Sequence, residues 1–308
     1  MVKRSDAARS QSDPFLSHDG AGAARARFDA LLSHDGAGAA RARFDALLSY
    51  DYAVLGWLDG RGPLPEQLEI PSDDPRFRRE TKCLSDAGDI EPGRASRTDV
   101  QLAGFDEAGR GALAGPVVVG CVHLDLHEDG EGRTQDLADA LVGVDDSKRL
   151  SPSARDRLFD RITEAAAWGV GASSAAEIDR CGIVAACRLA AHRAFRNLGL
   201  DIDLGLFDRG LSLRGDPAMH GSGRLPLEAT SVRADGRSLH VACASIVAKV
   251  WRDRRMCRLS ATYPGYAIER HKGYGTAVHR DAIRSLGPTS IHRRTFLKGC
   301  ESAKSQSC

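Results

Sequence analysis

The run Val100-Gln101-Leu102-Ala103-Gly104-Phe105-Asp106-Glu107-Ala108-Gly109-Arg110-Gly111 decides how the chain is read. Val100 to Phe105 is apolar enough for a strand, two acids follow it, and glycines then permit a tight turn. Pro116 to Leu124 is valine-rich and reads as a second strand, with Gly109 to Gly115 as the connection. A strand end presents side chains rigidly, and glycine lets a backbone approach a ligand closely. Adjacent carboxylates repel each other and are costly when half buried, unless a cation or a proton offsets them. Hard divalent cations such as Mg²⁺ and Mn²⁺ take oxygen ligands. An Asp-Glu pair standing alone reads as a solvated acidic turn, so the rest of the chain has to decide.

Outward from that run, strands and helices alternate, which argues an α/β fold. Ser151 has the chemistry of an N-cap with Pro152 at the first helical position, and Leu158, Phe159 and Ile162 follow on one face. Ile183 to Leu198 is an alanine-rich helix, and Leu204 to Phe207 is a short buried strand running into Asp208. Ser238 to Met256 reads as a long helix, rich in small residues in its first half and basic in its second. Asp208 at a strand end and Asp253 on the packed helix can converge with Asp106 and Glu107. Four oxygen ligands beside a basic surface suit two metal ions acting on a phosphodiester. Asp253 has a competing reading, an intrahelical salt bridge with Lys249 four residues earlier.

Composition narrows the class. The 308 residues carry 43 Lys plus Arg against 42 Asp plus Glu, a net charge of +1, and 42% of them are hydrophobic, which excludes a disordered or fibrous chain. The most apolar stretch, Ala112 to Val122, is far short of the roughly 20 residues of a membrane-spanning helix. Met1 to Pro14 lacks the apolar core of a signal peptide, and none of the eight cysteines has C-x-x-C spacing, so reduced structural thiols in the cytoplasm are expected. The near-zero charge hides an asymmetry. Between Lys249 and Lys298, twelve basic residues face only Asp253, Glu269 and Asp281. Such a block attracts polyanions.

Residues 17–32 recur without change as 33–48. Each copy could form a short helix, Ala21 to Leu32 or Ala37 to Leu48, and Asp59 to Asp99 has the composition of a linker. Residues 1–99 are therefore expected to be a flexible extension without chemistry, 100–298 one domain, and 299–308 a tail.

Several segments then combine in order. They are Gly104 to Gly111 with Ala114-Gly115-Pro116; Asp146-Ser147-Lys148-Arg149-Leu150-Ser151; Ala244-Ser245-Ile246-Val247-Ala248-Lys249 with Arg252-Asp253; His271-Lys272-Gly273-Tyr274-Gly275-Thr276 with His279; and Gly287 with His292-Arg293-Arg294-Thr295-Phe296. On these the chain resembles bacterial ribonuclease HII, which cuts RNA in RNA–DNA hybrids and at ribonucleotides embedded in DNA. The resemblance implies a ribonuclease H-like mixed β-sheet flanked by helices, with a helical C-terminal part. It implies a metal-binding, catalytic set of Asp106, Glu107, Asp208 and Asp253, holding two Mn²⁺ or Mg²⁺ ions and leaving a 3′-hydroxyl and a 5′-phosphate. It places the Gly109-Arg110-Gly111 backbone on the 2′-hydroxyl, Tyr274 on the neighbouring sugar, and Ser147 and Lys148 on a phosphate. His271 and His279 are read as phosphate contacts or structural residues.

The implied partners are RNA–DNA hybrid and ribonucleotide-containing duplex DNA, with no membrane and a monomeric chain; deletion of residues 1–98 is expected to leave cleavage nearly unchanged. The family commonly has Asp-Gly-Asn where this chain has Asp208-Arg209-Gly210, and Leu211 to Ala234 is long. Asp203 and Asp216 are therefore fallback ligands. The alternatives are a non-catalytic hybrid-binding protein and a type III-like ribonuclease H with another substrate preference.

Overall fold

The computed structural model describes residues 34–58, 63–69, 100–126, 136–137, 139–214 and 225–298. Six strands form one mixed sheet in the order β1-β6-β5-β2-β3-β4. They are β1 (Leu68–Glu69), β2 (Leu102–Ala108), β3 (Val117–His123), β4 (Ala167–Ser173), β5 (Leu204–Asp208) and β6 (Leu227–Ser231). β2, β3 and β4 form an antiparallel meander, while β2, β5 and β6 run parallel side by side. The parallel trio matters most for function, because its three C-terminal ends meet at one edge of the sheet. The short β1 closes the far side against β6.

β2 does not stop at Phe105 as its apolar run suggested. It continues through both acids, pairing Asp106 with Gly120 and Glu107 with Val119. Strand periodicity sends alternate side chains to opposite faces. Phe105 and Ala103 join a core with Phe207, Ile178 and Ala190, whereas Asp106 lies on the other face. That first core is covered by α3 (Ala175–Leu198), which begins at a capping box between Ser174 and Glu177 and kinks at Gly182. The expected Ile183 start was late because the kink masks the first two turns. β4, a glycine-rich strand, was not anticipated, and neither were β1 and β6.

The opposite face is covered by α4 (Leu239–Thr262), with α2 (Pro152–Ala165) packed against it. Ser151 caps α2 through the N–H of Ala154, with Pro152 in the first turn, as its sequence indicated. The small residues of α4 have a clear purpose. A Cβ on Gly104 of β2 would lie 2.3 Å from the carbonyl carbon of His240, so the helix backbone rests directly on the strand. Beyond α4, α5 (Ile268–His271) and α6 (Ala277–Leu286) build the helical C-terminal part around Met256, Tyr266, Ile268 and Ile283.

Residues 34–58 depart from the expected flexible extension. They form one continuous helix, α1 (His34–Leu58), which joins the second repeat copy to the unrepeated residues after it. Phe44, Leu47, Asp51, Val54 and Leu55 are buried along one face at helical spacing. Phe44 and Leu47 enter the core beneath α4, while Val54 and Leu55 join Leu102, Leu204 and Val241. Truncation at residue 98 would strip these side chains from two cores, contrary to the expectation of a neutral deletion. The first copy, the 70–99 stretch and the 299–308 tail lie outside the described residues. Among the described residues no helix is long and apolar enough to cross a membrane.

Candidate active site

The register of the parallel trio builds the site. Phe105 pairs with Phe207, so the next residues, Asp106 and Asp208, emerge together beyond that last pair. β5 and β6 stay in register as far as Asp208 and Ser231. The chain then turns through Arg233, in the left-handed region at φ 56°, into a short 3₁₀ turn over Ala234–Gly236. There the Ala234 N–H donates to Asp208 Oδ1 at 3.2 Å, and the next residue is Asp235, only 4% exposed. Three acids thus leave the C-terminal ends of three adjacent parallel strands.

Their electrostatics are strained. Asp106 is 6% exposed, and burial pushes its carboxyl well above the ordinary aspartate range. Glu107 pushes in the same direction, as do Asp235 and Asp208, against a hydrogen bond with Ser245 of α4. Glu107 is also raised, by burial first, with Arg110 opposing at 3.4 Å. Asp235 is raised by burial against a 3.0 Å contact with Lys148 Nζ. Burial works to lower the Lys148 ammonium, but Asp235, Asp146 and Asp106 outweigh it and push the group up to about 12. Ser147 hydrogen-bonds Ser245 Oγ at 2.8 Å, so both predicted phosphate contacts sit within this acidic network.

Asp253 does not join them. Its carboxylate pairs with Lys249 Nζ at 2.9 Å on its own helix, and its charge acts on the neighbouring Arg252. Geometry explains this. Ser245 touches Asp106, and Asp253 lies eight residues further along α4, about 12 Å at 1.5 Å per residue. The acid that meets Asp106 and Asp208 is Asp235, which sequence reasoning missed. The available signal was an alternating run, Leu227 to Ser231, with an acid, Asp235, four residues beyond its end. Of the fallback ligands, Asp203 accepts from the Gln101 N–H at the opposite end of β5, and Asp216 lies outside the described residues.

The Gly109-Arg110-Gly111 turn is held from beneath by two buried arginines. Arg293 donates to the carbonyls of Gly109, Arg110 and Gly115 at 2.7 to 3.0 Å. Arg252 donates to those of Pro116, Ala114 and Lys272. Gly109 has φ +86°, and a Cβ there would lie 1.9 Å from Arg252 Nε, so no other residue fits. Tyr274 stands beside this turn, 36% exposed, with the Arg252 guanidinium 5.3 Å from its ring centroid. Two of the twelve basic residues in the C-terminal window are therefore internal struts. Arg255, Arg258, Arg280 and Arg284 are among those left exposed.

The C-terminal histidines are structural. The ring of His271 spans the Tyr266 carbonyl and the Gly273 N–H. His279 holds the Tyr274 carbonyl through Nδ1 and meets His292 Nε2 at 3.2 Å, while His292 Nδ1 accepts from the Thr289 N–H. Each ring has one donor and one acceptor role, which specifies neutral imidazoles. Burial lowers His279, and burial together with His279 lowers His292 to about 4.

The family model described as Ribonuclease HII matches residues 103–299. The chain belongs to the ribonuclease HII family. The ribonuclease HII of Parasynechococcus marenigrum is 45% identical to it over 198 residues, spanning 64% of this chain and 82% of that relative. The ribonuclease HII of Thermus thermophilus is 44% identical over 201 residues, spanning 65% and 88%. Of the solved structures, ribonuclease H2 from Pyrococcus horikoshii is similar at 26% identity and a TM-score of 0.47, covering 66% of this chain and 97% of that one. Family membership makes the protein a ribonuclease H-type endoribonuclease, and such enzymes depend on divalent metal ions. Helix α1 lies before the matched region.

The donor set fits a hard cation. It is all oxygen, it is buried, and its mutual repulsion is offset only in part by Lys148 and Arg110. Among the described residues no three acidic, histidine or cysteine side chains stand close enough together to hold a metal ion as they are placed. The tethers explain the openness: Asp106 is held by Ser245, Asp235 by Lys148 and Glu107 by Arg110.

Proposed function

We propose that the protein hydrolyses the RNA strand of RNA–DNA hybrids and cuts at single ribonucleotides within duplex DNA, leaving a 3′-hydroxyl and a 5′-phosphate. The supporting observation is the convergence of Asp106, Asp208 and Asp235 at the ends of three parallel strands, with Glu107 on the adjoining face of β2. In this reading Asp106, Glu107, Asp208 and Asp235 hold two Mg²⁺ or Mn²⁺ ions, and Asp253 is a helix-surface residue. Bound there, such ions would lower the pKa of an attacking water and would stabilise the departing 3′-oxygen.

The chain's own groups do the rest. Ser245 orients the Asp106 carboxylate. Lys148 supplies a positive charge beside Asp235, close to where a phosphate would arrive. The Gly109-Arg110-Gly111 backbone, braced by Arg293, offers rigid polar groups to a 2′-hydroxyl, the feature that separates RNA from DNA. Tyr274 offers a ring face to the neighbouring sugar, and the exposed arginines of the C-terminal half bind the duplex backbone.

The test is cleavage of a duplex carrying one ribonucleotide, with Mn²⁺ or Mg²⁺ titrated and the product ends identified. Asp106→Asn is expected to lose about 100-fold or more in cleavage while keeping its fold and its affinity for hybrid. Wild-type turnover in that variant, or cyclic-phosphate ends in the products, would refute the reading.

A further inference from the structure

We propose that Arg43, on helix α1 and outside the segment shared with the family, is a positioning residue of the active site. The inference rests on the functional reading above. Its guanidinium bridges two loops that approach the acids from different parts of the chain. Nε donates to Asp145 Oδ1 at 2.9 Å, and Nη2 donates to the Gly236 carbonyl at 2.8 Å.

Each loop carries a site group next to the point held. Asp145 opens the turn 145–149. Its Oδ1 also accepts from the Asp146 N–H at 2.8 Å, and Asp146 in turn accepts from the Lys148 N–H at 2.9 Å. Gly236 directly follows Asp235, whose carboxylate receives Lys148 Nζ at 3.0 Å. Arg43 therefore closes a ring that runs from its guanidinium through Asp145, Asp146, Lys148 and Asp235 to Gly236. Without the bridge, only the Lys148 side chain directly links these two loops in that ring, and that side chain is 76% exposed. An exposed lysine is a weak and mobile tie.

The helix is itself anchored. Asp51, two turns further along α1 and fully buried, accepts from the His240 backbone N–H at 3.1 Å and contacts His240 Nδ1 at 2.8 Å. His240 is the second residue of α4, whose backbone rests on Gly104, two residues before Asp106. α1 thus grips the start of the helix that carries Ser245 and reaches forward with Arg43 to the two loops. A planar fork holding two fixed acceptors is a job for arginine; a lysine can serve one of them.

The experiment uses the full-length chain. Arg43→Ala is compared with Arg43→Lys and with Arg41→Ala, whose exposed side chain pairs, among the described residues, with Asp45 and Phe44 of the same helix face. In metal-free protein, amide hydrogen exchange over residues 144–149 and 234–237 is expected to quicken about tenfold in Arg43→Ala, with α3 and β3 unchanged. On a single-ribonucleotide duplex, kcat is expected to fall about tenfold, the scale of lost support behind a ligand, with KM within twofold. Arg43→Lys should recover part of both effects, and Arg41→Ala should match wild type.

Exchange unchanged in both loops overturns the proposal. So does a uniform rise across the domain, which would mark Arg43 as a stability residue only. If the alanine variant does not fold, Arg43→Gln, which keeps an aliphatic stem but loses the fork, takes its place under the same criteria. If the wild-type enzyme does not cleave the substrate, the functional reading fails, while the exchange data still judge Arg43.

Discussion

Exchanging carboxylate for amide at Asp235 and at Asp253 should separate a site acid from a surface acid by about two orders of magnitude. The structure supplies the scale for each. Asp253 makes an i,i+4 pair with Lys249 in which both side chains are partly exposed. Such pairs contribute about 0.3–0.5 kcal/mol, so Asp253→Asn should change thermal stability marginally and cleavage less than twofold. Asp235 is 4% exposed, and its charge acts directly on Asp106. Outer-shell partners of metal ligands are worth about 10–100-fold, and a ligand itself is worth at least the upper end of that range. Asp235→Asn should therefore lose about 100-fold in cleavage, roughly 2.7 kcal/mol of transition-state stabilisation. The assay is single-turnover cleavage of a duplex with one ribonucleotide across a Mn²⁺ series, with hybrid affinity measured separately. A 100-fold loss in Asp253→Asn together with near-normal Asp235→Asn would show that the helix, and not the turn after β6, carries the fourth acid.

Two further outcomes concern stability. His292 is buried, and its pKa falls from 6.5 to about 4 on folding. Between those values the unfolded chain binds the extra proton, so stability rises with pH there. The contribution, roughly 3 kcal/mol for a shift of this size, is complete above pH 6.5 and is lost as the pH drops towards 4. Urea midpoints measured from pH 7.5 to 4.5 should show this slope, and His292→Gln should flatten it; an equally steep slope in the variant would place the titration elsewhere. Asp51→Ala leaves the buried His240 ring without its acceptor. Leaving a buried hydrogen-bonding group without its partner costs about 1–3 kcal/mol, so its denaturation midpoint should drop, whereas an unchanged midpoint would mean that α1 is loosely held.

The sequence showed elements whose signal is local. The valine run of β3, the Ser151-Pro152 start of α2 and the strand ending in Asp208 all formed where periodicity and caps put them. Asp106, Glu107 and Asp208 were legible for the same reason, since each follows or continues an apolar run. What was missed depends on contacts distant in sequence. β4 is built on Gly169 and Gly171 because α3 presses against it, and no periodicity reveals that pressure. Asp253 drew attention because it stands in a dense run of matched residues, while Asp235, which the sequence reading does not consider, follows a stretch that looks like an insertion. The docking of α1 was hidden by the repeat, whose perfect identity suggested a recent, dispensable addition.

That repeat carries a consequence of its own. A chain holding the same sixteen residues twice offers two identical keys to one lock, and something outside the key must choose between them. Sliding the first copy into the place of the second would bring Gly38 to the position of Val54 and Ala39 to that of Leu55, leaving two holes beside Leu102 and Leu204. The unrepeated turn after the second copy is therefore a register stop. A duplicated segment can therefore stand in the chain without a choice of registers, because it is the copy joined to Val54 and Leu55 that brings apolar side chains to Leu102 and Leu204.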